Sequence, residues 1–403
     1  MTTIQDKQDY KPLGSVLYTI DPNTRKSIPL KVNVHQPGQV LLTIHVLFNI
    51  SDASSLPGSF SFDITRDGNA VTDGPRPILF GPPTYISGFY SLGWTIADPN
   101  VSSGEHQYIL QLENTNAGTQ FIYGLSFTAT AFDNDGKLFN NQLFPPPREF
   151  AITLQPGSSV PIPIESNIEV KKHNSVMLWL LTGYQFQNTT GNVYFDFLRD
   201  GKTLNAGPQL FVNATGDGTG YSVGWNLLDS HVKPGTHNYS VNLINRGTGP
   251  ITISYYSFNA AVTLNPQCGL DFSSKEKYLP TTIPPQQVKT IPNNRRLSIP
   301  IRASIHNTDS KVAININVRL NIPPTSSFTQ FDILNPANES IINGPQNLSV
   351  YLGTGSGKFN KNLTIIDNKP IPGNSKYHII FINNLNTSIG IEYYSITTVA
   401  SKN

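Results

Sequence analysis

An aspartate that returns three times with the same followers constrains this chain more than anything else in it. Asp98, Asp229 and Asp367 are each followed six residues later by glycine (Gly104, Gly235, Gly373) and ten later by tyrosine (Tyr108, Tyr239, Tyr377). Asparagine follows sixteen residues on (Asn114, Asn245, Asn383) and serine twenty-eight on (Ser126, Ser257, Ser395). Four identities at four fixed offsets in three places mark an internal repeat, so the chain is built from copies of one folding unit. Upstream, Ser27-Ile28-Pro29-Leu30, Ser159-Val160-Pro161-Ile162 and Ser298-Ile299-Pro300-Ile301 open the copies. Between the two signatures, Phe62-Asp63, Phe195-Asp196 and Phe331-Asp332 each lead to a Gly-Pro, at Gly74-Pro75, Gly207-Pro208 and Gly344-Pro345. The repeat divides the 403 residues into an N-terminal arm (1–13), module 1 (14–137), module 2 (148–265), a linker (266–284) and module 3 (285–403).

Within a copy, apolar residues alternate over short runs bounded by turn residues, which is the period of half-buried strands. Val40 to Phe48, Phe60 to Ile64, His106 to Leu112 and Leu125 to Ala129 read this way. Asp67-Gly68 and Asp200-Gly201 sit between such runs, where two-residue hairpins need positive φ at both central positions. The repeated Asn114, Asn245 and Asn383 end a strand and suit an Asx-turn. The 31 Gly and 31 Pro are spread through the chain, and charged residues make up only 13 % of it, the usage of many strands joined by turns. The expected fold is all-β: three tandem antiparallel β-sandwich domains, jelly-roll-like rather than immunoglobulin-like, since no Cys-Trp-Cys pattern is present. Trp94 and Trp225 occupy the same place in two copies and read as core anchors, with sugar-stacking platforms as the other reading; the third copy has Leu363 there.

The closing pattern Gly-x-His-x-Tyr-x-Val/Leu-x-Leu, then a polar turn, then Tyr/Leu-Ser-Phe resembles the last strands of the tumour-necrosis-factor and C1q-like jelly rolls. Those modules terminate glycoproteins on Bacillus spore surfaces. The likeness covers about a third of each copy, and the collagen-like stalk of those proteins is absent. What it implies is a surface-exposed module prone to assembly, with no activity attached.

The chain offers little to chemistry. Its eight histidines fall at no metal-binding spacing, and Asp133-Asn134-Asp135-Gly136, the nearest approach to a calcium loop, reads as a turn. Asp98, Asp229 and Asp367 lack a second carboxylate at constant offset, so the expectation is a structural role, accepting backbone N–H bonds at strand ends. Ser126, Ser257 and Ser395 lie in strands without the Gly-x-Ser-x-Gly turn of a nucleophile, and Gly353 to Gly357 lacks the Gly-Lys-Ser/Thr ending of a phosphate loop. No catalytic, cofactor or metal residue is expected, and the chain is read as not an enzyme.

Basic and acidic residues number 28 and 26 and are interspersed, which argues against nucleic-acid binding. No apolar run is long enough for a membrane helix, and no secretory signal is visible. The single cysteine, Cys268, excludes an intramolecular disulfide framework and reads as a linker thiol or an intermolecular contact. Pro145-Pro146-Pro147, Pro280 and Pro284-Pro285 make the connectors stiff. Two functions fit. One is a structural protein that packs with copies of itself into a layer, appendage or shell at a cell, spore or particle surface. The other is an adhesin, fibre or toxin module that binds carbohydrate or a surface receptor through tandem weak sites.

Overall fold

The computed structural model describes residues 3–12, 15–50, 59–72, 74–80, 88–115, 118–132, 136–145, 151–164, 167–171, 174–186, 190–205, 207–215, 220–263, 270–277, 288–307, 309–322, 328–350 and 357–401. Cys268, Asp133 to Asp135, Pro146, Pro147, Pro280, Pro284 and Pro285 lie outside the described residues. Every regular element among the described residues is a strand, and every pairing is antiparallel.

The jelly-roll order is written in the pairing. In the first copy, the strands are Thr3–Tyr10, Thr24–Val34, Gly38–Ile50, Ser59–Arg66, Arg76–Phe80, Gly88–Val101, Gly104–Asn114 and Gln120–Phe132, with two short pieces, Tyr18–Ile20 and Asn69–Ala70, between them. Taken one to eight, they form a sheet in the order first, eighth, third, sixth, and pair on the other face in the order second, seventh, fourth, fifth, the fifth also pairing with Gly220–Val232 of module 2. This is the double Greek key of a jelly roll. The strands of the other two copies pair in the same order, starting from Gly136–Leu143 and from Leu270–Lys277.

Those two starting strands correct the expected boundaries. Residues 1–13 and 266–284 are not merely arm and linker, and Gly136–Leu143 straddles the expected end of module 1. Thr3–Tyr10 pairs with Gln120–Phe132, Gly136–Leu143 with Ile251–Thr263, and Leu270–Lys277 with Ile389–Ser401. The reason is edge satisfaction: each closing strand would otherwise expose a full row of N–H and C=O groups.

Alternation along the strands sorts the side chains. Val40, Leu42, Ile44, Val46 and Phe48 point between the two sheets of module 1 and are almost completely buried with Phe62, Trp94, Tyr108 and Phe127. Modules 2 and 3 have equivalent cores around Phe195 and Trp225 and around Phe331 and Leu363. The alternate residues of the same strands face the other way and form a fourth cluster, including Leu41, Met177, Ala313, Ala97, Leu228 and Ile366. It draws on all three modules, so the inner sheets face one another around a common centre. The outer sheets keep the buried-in, exposed-out alternation, as in Arg295–Ile305.

The turns use the conformations their residues permit. Asp67 and Gly68 have φ of 49° and 82°, Asp200 and Gly201 51° and 73°, as hairpins of this kind need. The repeated Gly104, Gly235 and Gly373 have φ of 129°, 143° and 108°, a region glycine enters without strain.

Candidate functional site: the seams between modules

The repeated aspartates come first. Asp98 accepts hydrogen bonds from the Tyr108 hydroxyl at 2.6 Å and from Arg66 Nη1 at 2.8 Å. Asp229 accepts from the Tyr239 hydroxyl at 2.8 Å and, on both oxygens, from Arg199 at 2.7 and 2.9 Å. Asp367 accepts from the Tyr377 hydroxyl at 2.7 Å and from the Lys369 amide at 3.0 Å. The partner expected from sequence is backbone N–H, and among the described residues only Asp367 of the three has one. The ten-residue offset that accompanies each aspartate is a hydrogen bond across the sandwich. Burial raises the Asp98 and Asp229 carboxyls, against the pull of the tyrosine and arginine. All three tyrosines are pushed up by burial and by the adjacent carboxylate, so they remain donors.

The repeated asparagines tie the chain ends of each module together. Asn114 Nδ2 donates to the carbonyls of Ile20 and Gly118, Asn245 to those of Leu154 and Gly249, and Asn383 to those of Ile291, Pro292 and Thr387. Asn245 and Asn383 also accept from the amide two residues on, which closes an Asx-turn. Trp94 and Trp225 are 0 % exposed, and Trp179 is 4 % exposed. Each of the first two packs on the phenylalanine of its own copy, Phe62 at 5.0 Å and Phe195 at 5.5 Å.

The groups that do most to define a site lie where the modules meet. Gln8 accepts from the Ile366 amide at 2.7 Å and donates to the Ile366 carbonyl at 3.0 Å. Gln142 accepts from the Ala97 amide at 3.2 Å and donates to its carbonyl at 2.8 Å. Glu276 accepts from the Leu228 amide at 2.9 Å. Ile366, Ala97 and Leu228 each precede the repeated aspartate, and residues 8, 142 and 276 lie opposite the repeated Ser126, Ser257 and Ser395. The contacts are therefore one contact made three times in cyclic order: module 2 clamps module 1, module 3 clamps module 2, and the strand of module 1 clamps module 3.

Aromatic side chains cross the seams in the same order. Tyr255 of module 2 is buried in the core of module 1, against Phe62 and Phe144. Tyr393 of module 3 is buried in the core of module 2, at 5.1 Å from Trp225, and its hydroxyl donates to the Leu210 carbonyl. Tyr10 is buried in the core of module 3 while its strand pairs with module 1. A β-bulge sits at the same place in all three closing strands, with Tyr123, Ser254 and Glu392 as the extra residues. Bulges re-aim the neighbouring side chain, here Tyr255 and Tyr393. Module 1 has Gly124 at that position, and a Cβ there would overlap the Tyr10 ring that lies over it.

Near the centre, the Tyr10 hydroxyl and His45 Nδ1 share a hydrogen bond of 2.6 Å. Burial, helped by the Lys361 charge, holds His45 down at about 3, so the ring is neutral. Burial likewise lowers Lys361 to about 8. Trp94 Nε1 donates to Ser222 Oγ of module 2 at 2.6 Å.

The outer faces diverge. In module 1, Arg25 and Lys31 pair with Glu113 and Glu105 at 3.0 and 2.9 Å. In module 3, Arg302 stands directly across from Lys376, and Arg296 across from Ile382. Residues 285–403 hold eleven Lys and Arg against five Asp and Glu, whereas 14–137 hold six against ten. Among the described residues, no group of three or more His, Cys, Asp or Glu is placed to hold a metal, and no helix is long and apolar enough to cross a membrane.

The expected bounds place Gln8 in the arm, Gln142 between modules 1 and 2 and Glu276 in the linker, outside all three modules, which hides the seam clamps. A signal was present: Gln8, Gln142 and Glu276 recur at a constant spacing of 134 residues.

No family model matches the sequence, and no curated protein matches it. Solved structures similar to the chain include a protein of an archaeal virus described as a triple jelly roll fold and turret assembly, at 12 % identity and TM-score 0.20, covering 99 % of this chain and 89 % of that one. A chain of Sulfolobus turreted icosahedral virus is similar at 11 % identity and TM-score 0.20, covering 99 % and 90 %. Peptide:N-glycanase F is similar at 8 % identity and TM-score 0.32, covering 66 % and 96 %.

Proposed function

We propose that this chain is a non-enzymatic structural building block that associates with copies of itself into a layer, appendage or shell at the surface of a cell, spore or particle. The observation that carries this reading is the closed cycle of seams. Three copies of one module interlock through the same clamp and through crossing tyrosines. The result is one rigid block with three related outer sheets, the kind of unit that self-association can extend into a regular array. The cationic sheet of module 3 and the acid-rich module 1 give such blocks a head-to-tail attraction.

The carbohydrate-binding alternative lacks a tryptophan platform, because all three tryptophans are buried. Negative-stain electron microscopy over a concentration series, at low and high salt and with and without reductant, tests the proposal. Ordered sheets, filaments or shells that dissolve in salt are expected, and dependence on oxidation would make Cys268 an assembly bond. Uniform single particles under every condition would overturn self-assembly.

A further inference from the structure

One of the three seam clamps carries an acid where the other two carry an amide. Gln8 and Gln142 each satisfy both the N–H and the C=O of the residue they hold. A glutamine side chain can do so because it presents one acceptor and one donor. Glu276 accepts from the Leu228 amide and also from Ser395 Oγ at 3.1 Å, the counterpart of the bond from Ser257 Oγ to Gln142 Oε1 at 3.2 Å. An ionised carboxylate is acceptor-only, so it has no proton for the Leu228 carbonyl. With a proton on its second oxygen, the carboxyl has the same donor and acceptor pair as the amide.

We propose that Glu276 is a proton-operated clamp: protonated, it locks the seam between modules 2 and 3 with the two-bond geometry of Gln8 and Gln142, and ionised, it loosens that seam alone. The surroundings favour the protonated form. The residue is partly buried, but its carboxyl lies between Leu228 and Ser395, which are 6 % and 0 % exposed. Burial pushes Glu276 up to about 7, against the bonds from Leu228 and Ser395, and the charge of nearby Asp229 adds to the rise.

The other charged groups on the packed elements are few. Asp229 is held by Arg199 and Tyr239. On the same strand, Lys275 and Lys277 are exposed and Asp271 pairs with His306 at 3.6 Å. On the closing strand, Glu392 is held by Arg319 at 2.8 Å, and Tyr394 lies across from Lys277. Arg295, Arg296 and Arg302 lie exposed on Arg295–Ile305.

The sign follows from linkage. The folded state holds the Glu276 proton more tightly than the unfolded state does, so its contribution is fully present below about pH 4.5 and is lost as pH rises through about 7. The clamp belongs to the block itself, so its behaviour is independent of whether blocks assemble.

The test is urea unfolding of the full chain and of Glu276→Gln at pH 5 and pH 8. The wild-type folding constant is expected to fall between these values by on the order of a hundredfold more than that of Glu276→Gln. Comparing the two chains cancels the titration of His106 and His237. Equal pH dependence in both would overturn the proposal. Gln142→Glu provides a second arm: it should install an added loss between pH 5 and pH 8 at the seam between modules 1 and 2. A Gln142→Glu chain that folds but shows no added pH dependence would also overturn it.

Discussion

Asn362 lies against two glycines of the other modules: a Cβ on Gly93 would stand 2.9 Å from its Oδ1, and one on Gly224 would overlap its Nδ2. Gly93, Gly224 and Asn362 each lie five residues before the repeated aspartate, so three equivalent positions meet at the centre of the block. Two are reduced to hydrogen, and the third supplies the only side chain of the three.

Alanine at Gly224 or Gly93 should therefore act on all three modules at once. Overpacking of this kind costs about 1–3 kcal/mol. Chemical unfolding should show a lower midpoint for both variants, since either added Cβ would also stand 2.8 Å from a backbone carbonyl oxygen, of Asn362 at Gly93 and of Gly93 at Gly224. Gly224→Ala at wild-type stability would mean that the central contact is looser than the geometry shows.

Tyr255 provides a sharper measure of interlocking, because it belongs to module 2 by sequence and to module 1 by packing. Truncation to alanine should leave a cavity in module 1 and cost about 3–5 kcal/mol. In calorimetry, the first module to melt should be the one that lost a filler it does not encode. Destabilisation confined to module 2 would contradict the exchange of aromatics.

Neutralising the repeated aspartates should rank them. Asp98→Asn and Asp229→Asn each strand a partly exposed arginine and weaken a buried tyrosine bond, a loss of about 1–3 kcal/mol after allowance for solvent screening. Asp367 is held by the Tyr377 hydroxyl and the Lys369 amide, with no arginine partner among the described residues, so Asp367→Asn should cost less. Thermal denaturation of the three variants checks the order.

The two hairpin histidines predict a second pH effect. His106 Nδ1 faces Asp67 at 2.6 Å and Nε2 faces the Ser102 carbonyl at 2.8 Å; His237 does the same with Asp200 at 2.7 Å and Lys233 at 2.9 Å. The bond to Asp67 raises His106; for His237, burial pushes down, but the bonds to Asp200 and to the Lys233 carbonyl together with the Asp200 charge outweigh it. Both folded values are raised, so the stabilisation is full below the unfolded value near 6.5 and is lost as pH rises through the folded one. Each pair is worth about 1 kcal/mol at most at such exposed sites. NMR titration should place both imidazoles above an unperturbed histidine, while module 3, with Ser375 at that position, shows no such transition.

The repeat, the strand periodicity and the Asp-Gly turns were legible because they depend on neighbours close in sequence and on the same offsets in every copy. Alternation alone places Val40, Leu42 and Ile44 on one side of a strand and Leu41 and Thr43 on the other. It does not say that the second side is also buried: Leu41 is 2 % and Thr43 7 % exposed because the inner sheets of three modules face one another. The same limit hid the partner of Asp98. A ten-residue offset to Tyr108 is visible in the sequence, but which groups meet depends on how the two sheets of the sandwich stack. Gln8, Gln142 and Glu276 looked like connector residues for a related reason. A clamp is defined by the strand it reaches in another module, more than 40 residues away for the shortest of the three. Local chemistry thus set the strands and turns of this protein, and only the closing of three sheets around one centre decided which of their outward residues became seams.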